Sequence, residues 1–149
     1  MATIKFDDLE NAFEWSSAGG NFSDSEAIIS KHTGEIYYLS EGEPVEGELP
    51  ADIDDESLYV SVPNKHDLDL GRSLALKFAS NLSPDMYSSV ERFFSKSGAY
   101  SRFKDLLERE GKLDAWYSYE RDAIKNALIE WADSEGLTVT FHDENIIGE

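Results

Sequence analysis

Apolar residues recur along this chain in two rhythms, and the change between them falls near residue 64. In "FDDLENAFEW" Phe6, Leu9 and Phe13 stand at helical spacing, which predicts a short amphipathic helix. Asp7, Asp8 and Glu10 open it, where negative charge suits the helix dipole, and "SSAGGN" ends it. "EAIISKHTGEIYYLS" then holds two β-prone runs, Ala27–Ser30 and Ile36–Leu39, around His32-Thr33-Gly34, the pattern of a hairpin. "EGEPVEGELPADIDDES" follows with two Pro, two Gly and eight acids in 17 residues. Such a stretch buries little and is expected to be an exposed connector. Leu58–Val62 reads as a strand ended by Pro63.

From there the period becomes helical. Leu70, Leu74 and Phe78 are spaced four apart in "DLGRSLALKFASNL", with Asp67 or Asp69 as the expected cap. "SPDMYSSVERFF" begins with Ser83 at a cap position, Pro84 at the first helical position and Asp85 next, a strong helix start. Its apolar face is Met86 or Tyr87, Val90, Phe93 and Phe94, and Ser97-Gly98 is expected to end it. A third helix carries Tyr100, Phe103, Leu106 and Leu107 and stops at Gly111. The last, Leu113–Ser134, presents Trp116, Tyr117, Ile124, Leu128 and Trp131 and meets Gly136 at its end. "LTVTF" closes the chain's pattern as a strand. Strands segregated from helices in this way argue for an α+β fold: a short helix and β-hairpin or small antiparallel sheet, then a bundle of about four helices, then a C-terminal strand. A single domain over 1–149 is expected, with an acidic β-rich half (1–64), a helical half (65–135) and a closing strand (137–141).

Composition changes this picture mainly through charge. The 149 residues carry 13 basic and 31 acidic side chains, a net charge of −18. Residues 1–64 hold two bases, Lys5 and Lys31, against 15 acids, while the rest of the chain is much closer to balance. Such a chain repels a duplex or an anionic membrane, because neutralising phosphate requires clustered Lys and Arg. Excess acid serves solubility in any protein. The sharper reading is an acidic face that attracts a basic protein partner or mimics nucleic acid. There are no cysteines, hence no disulfide, thiolate metal site or cysteine nucleophile. Met1–Glu10 lacks the basic start and apolar centre of a signal peptide and no apolar run reaches membrane-spanning length, so a cytoplasmic location is expected.

The stretch "FFSKSGAYSRFKDLLEREGKLDAWYSYERDAIKNALIEWADSEGL" resembles a bacterial family known as uncharacterised protein family 0158. Gly98-Ala99-Tyr100, Arg102-Phe103-Lys104, Leu106-Leu107, Trp116-Tyr117, Tyr119-Glu120, Ala127 and Trp131 carry the likeness. "LPADIDDESLYVSVPNKHDLDLGRSLALKF" and "TGEIYYLS" are similar to the family's middle and beginning. The resemblance implies no activity, substrate or cofactor, since the family has none established. Ala132 stands where members of the family often carry a cysteine.

Chemical signatures are sparse. "DIDDES" fails as a calcium loop: counted from Asp52, the positions needing glycine and a bidentate glutamate hold Ser57 and Pro63. The nucleophile elbow, the zinc-protease motif, the phosphate-cradling loop and the dinucleotide glycine pattern are all absent from the sequence. His32 and His142 are too isolated to form a ligand pair by spacing. Three readings remain. His66, Asp67 and Asp69 sit between a strand and a helix start, where acid–base or ligand chemistry is as conceivable as simple capping. The aromatic and basic mixture at Arg92–Lys112 would suit single-stranded nucleic acid, but its aromatics fit core positions. Lastly, Glu120 falls on the apolar stripe of the last helix. It is expected to pair with Arg102 or Lys104 across a helical hairpin, or to serve as a ligand-binding carboxylate in a pocket walled by Tyr100, Trp116 and Tyr117. Two functions follow: a non-enzymatic binding or regulatory protein with an acidic surface, or a small-molecule- or divalent-metal-dependent enzyme using the His66–Asp69 turn and the Tyr100–Glu120 hairpin.

Overall fold

The computed structural model describes residues 2–18 and 25–141. These residues form an α+β structure with five helices and two small sheets. The chain divides into two units: Met1–Leu68 together with Asn126–Glu149, and Asp69–Lys125.

In the first unit, β1 (Thr3–Lys5) runs directly into α1 (Phe6–Ser17), which buries Leu9, Ala12, Phe13 and Ser16. Then come β2 (Ser25–Ser30), β3 (Ile36–Ser40), β4 (Glu43–Pro44) and β5 (Tyr59–Ser61), antiparallel in the order β4-β3-β2-β5. The hairpin turn is tied by the Ser30 hydroxyl, which accepts from the His32 and Thr33 amides at 3.2 Å each. Pairing of Ala27 with Tyr38 and of Ile29 with Ile36 and Val60 sets these side chains on one face of the sheet. Trp15 of α1 packs edge-on against Tyr38 there, at 5.8 Å between ring centroids. Its indole N–H donates to the carbonyls of both Glu26 and Leu39, at 2.9 and 3.1 Å. Ile28, Tyr37, Leu39 and Tyr59 belong to the opposite face.

The closing strand, β6 (Thr138–Thr140), does not join this sheet. It pairs in parallel with β1, Thr3 opposite Thr138 through Lys5 opposite Thr140, and Phe6 stacks on Phe141 at 5.4 Å. The helix before it, α5 (Leu113–Ser134), ends in a left-handed turn at Gly136 (φ 78°). The Gly136 amide donates to the Asp133 carbonyl and the Leu137 amide to Ala132, at 3.1 and 2.8 Å. This double closure buries Leu137 and Ala132 and aims the chain at β1.

The second unit contains α2 (Arg72–Ser80), α3 (Pro84–Phe93), α4 (Ala99–Arg109) and the first half of α5. Its centre is aromatic. Trp116 and Phe103 are fully buried, their rings edge-to-face at 4.9 Å, and Phe78 meets Trp116 at 5.4 Å. Ser83 caps α3, its hydroxyl accepting from the Met86 amide at 3.1 Å, with Pro84 at the first helical position. Replacing Ser83 by alanine should lower unfolding free energy by about 1 kcal/mol, read as a shifted urea midpoint with an unchanged slope.

Two local expectations are corrected. Neither Asp67 nor Asp69 caps α2, which begins after Gly71 without a side-chain cap. Asp67 instead closes its own turn. The Asn64 amide donates to the Asp67 carboxylate at 3.2 Å and the Asp67 amide to the Asn64 side-chain oxygen at 2.8 Å, while Asp69 adopts a left-handed φ of 57°. Nor do Ser97 and Gly98 end α3. That helix closes at Phe94, and Gly98 is the N-cap of α4.

Candidate functional site

The residues of the Tyr100–Glu120 hairpin differ in burial. Trp116 is core. Tyr117 is 38% exposed, with the Lys104 ammonium 5.6 Å from its ring centroid. Tyr100 is half-buried against Phe94, at 5.2 Å. Burial first, then the charge of Glu120, pushes its phenol up to about 12, so it stays neutral at physiological pH. Tyr100 and Glu120 are therefore brought together, as the helical register suggests. Glu120 is half-buried, whereas Arg102 and Lys104 are both exposed, so neither of these cations is buried beside it. Its partial burial puts Glu120 at the margin of the apolar face rather than inside it, and long cationic side chains at such a margin keep their heads in water. Arg102 borders an open hollow of about 420 Å³ with Phe93, Asp105, Glu108 and Arg109. His66 and Asp67 are exposed and belong to the first unit, whereas Asp69 and the hairpin residues belong to the second. His142 lies outside the described residues. Among the described residues no group of three or more His, Asp or Glu side chains is arranged to hold a metal ion.

The first unit holds a larger concavity, about 840 Å³, on the sheet face turned away from α1. Ile28, Leu39 and Tyr59 from the strands and Trp131 from α5 give it apolar walls. Leu49 and Ile53 enter from the acidic connector. Composition alone predicts that this connector buries little. Most of it is exposed, yet these two side chains turn inward and are half-buried. Glu26, Asp54, Glu56 and Glu135 supply the charge. Among the described residues Lys31 is the one cation lining it, and its ammonium bridges to Glu135 at 3.4 Å. Such a half-exposed pair contributes about 0–1 kcal/mol, so it can be exchanged for another cation at small cost.

The connector is also held in shape. Asp55 accepts from the Ser57 hydroxyl at 2.6 Å and amide at 2.9 Å, which keeps its carboxyl below the usual range. The Tyr59 hydroxyl donates to Asp52 at 2.9 Å. Thus two carboxylates of "DIDDES" close the turn into β5, while Asp54 and Glu56 face the groove. A second groove, about 420 Å³, lies on the other side of Leu49 and is lined by Glu35–Tyr38, Pro44–Leu49 and Trp15. Leu49 lines both grooves, and Tyr37 of the second stands edge-on to Tyr59 of the first at 6.3 Å between ring centroids.

No family model, curated protein or solved structure matches the chain. The sequence showed the acidic connector but not its two inward side chains, nor the roles of Ile28 and Trp131. One signal was present: Ile36-Tyr37-Tyr38-Leu39 is apolar on both faces of a strand, which demands cover, or a ligand, on each. Among the described residues no helix is long and apolar enough to cross a membrane.

Proposed function

We propose that this chain is a non-enzymatic, cytoplasmic binding or regulatory protein that engages a basic macromolecular partner through the acidic surface of its first unit. One observation carries the reading: the roughly 840 Å³ groove combines apolar walls with four carboxylates and, among the described residues, a single lysine already bridged to one of them. A surface of that kind attracts a cationic, partly apolar segment. Complementary charge speeds the encounter, and burial of its apolar residues holds it. The reading rests on this geometry and not on the family resemblance.

The test is binding of a fluorescent amphipathic lysine–leucine peptide to the full chain. Affinity should fall about tenfold or more between low and physiological salt, as screening shortens the reach of the carboxylates. The triple variant Glu26→Gln, Asp54→Asn, Glu56→Gln should bind about tenfold more weakly, with unchanged thermal unfolding. Equal binding of a glutamate–leucine peptide, or indifference to salt, would remove the reading.

A further inference from the structure

The second groove borders an unfinished sheet edge. β4 pairs with β3 only at Leu39 opposite Pro44 and Ser40 opposite Glu43, and the Val45 amide adds one bond to the Tyr38 carbonyl at 2.9 Å. Beyond Val45 the chain leaves β3. In an antiparallel ladder successive residues turn their backbone groups to opposite neighbours. The Ser30 amide donates to the Glu35 carbonyl at 2.9 Å, so Glu35 faces β2. Ile36 therefore turns its N–H and C=O outward, as Tyr38 does, and β4 does not reach it. The groove of about 420 Å³ lies between that edge and Pro44–Leu49.

What lines this groove selects its occupant. Glu35, Glu46 and Glu48 border it, and among the described residues no cation does. Edge strands are commonly protected by charge and proline, and here Pro44 and the glutamates do so with one sign only. A second copy of the chain would set carboxylate against carboxylate, and a nucleic acid would be repelled. Apolar surface is present too, from Trp15, Tyr38 and Val45, the last 55% exposed. Ile36 and Tyr38 belong to one face of the strand, Glu35 and Tyr37 to the other. An added strand would therefore present apolar residues to the first face and cationic residues to the second.

We propose that the open edge of β3 at Ile36 receives an extended segment of a partner protein as an additional strand, with alternating basic and apolar residues, paired through the Ile36 backbone. This rests on the reading above that the partner is basic, and adds where and in what conformation it docks.

The probe is the capped heptapeptide Lys-Val-Lys-Val-Lys-Val-Lys, with two copies N-methylated at its odd or its even residues, titrated against the full chain. Peptide binding should slow hydrogen exchange of the Ile36 amide about tenfold or more. One methylated copy should lose about tenfold in affinity while the other binds like the parent, because only one edge of the added strand pairs with β3. If both copies match the parent and Ile36 exchange is unchanged, basic segments are held by charge alone; the strand proposal fails and the functional reading stands. If neither this peptide nor the lysine–leucine peptide binds, both fail.

Discussion

Trp116→Ala should lower unfolding free energy by about 3–5 kcal/mol, enough to leave the second unit marginal or unfolded. The side chain is fully buried, wedged between Phe78 and Phe103 and stacked on Tyr119 at 6.2 Å. Removing it leaves a cavity walled by rings, and rings close a gap poorly because they move as plates. Its buried indole N–H finds no hydrogen-bond acceptor among the described residues. Trp116→Phe should therefore be much milder, since it deletes a buried donor together with part of the contact area. The neighbouring Tyr117→Ala, at a 38% exposed position, should shift the urea midpoint little, within about 0.5–1 kcal/mol. Equal losses at 116 and 117 would refute the assignment of Trp116 to the core.

Gly34→Ala is the second large effect, expected at about 2–4 kcal/mol. Gly34 sits at φ 79°, and a Cβ added there would come within 2.4 Å of the Thr3 carbonyl oxygen. Two costs therefore add: left-handed backbone strain and a collision with main chain that no rotamer can relieve. The collision pushes β1 away from the hairpin turn, and β1 is the strand on which β6 depends. Gly42→Ala separates the two terms. Gly42 has φ 81°, but a methyl group there would meet no described atom within 4 Å, so only the strain of about 1 kcal/mol remains. Similar unfolding midpoints for the two variants would show that the approach to Thr3 is unimportant.

Elements whose signals are local could be read from the sequence. Ser83-Pro84-Asp85 marked the start of α3, the spacing of Phe6, Leu9 and Phe13 marked α1, and Gly136 marked the end of α5. "LTVTF" could be read as a strand, which β6 bears out, but β1 and the pairing of the two could not. Each strand is three residues long, and what makes them strands is each other, with Thr3 paired to Thr138 from the far end of the chain. Such pairing has no local periodicity to reveal it. Glu120 shows a related limit. Helical spacing gives the direction of a side chain to within a broad stripe, and that is too coarse to separate an interior carboxylate from one at the margin. The acidic connector was recognisable as a connector. That Leu49 and Ile53 fold back from it depends on the sheet face they cover, which is assembled from β2, β3 and β5.

The three tryptophans occupy three different settings: Trp116 in an aromatic interior, Trp131 on the wall of the larger groove, and Trp15 beside the open strand edge. Trp15 also holds two strands at once through its forked indole N–H. The chain thus carries its own optical reporters. With Trp131→Phe, the solvent-responsive part of the emission comes from Trp15 and follows the strand edge; with Trp15→Phe it comes from Trp131 and follows the larger groove. Occupancy of either groove becomes a colour change in unlabelled protein.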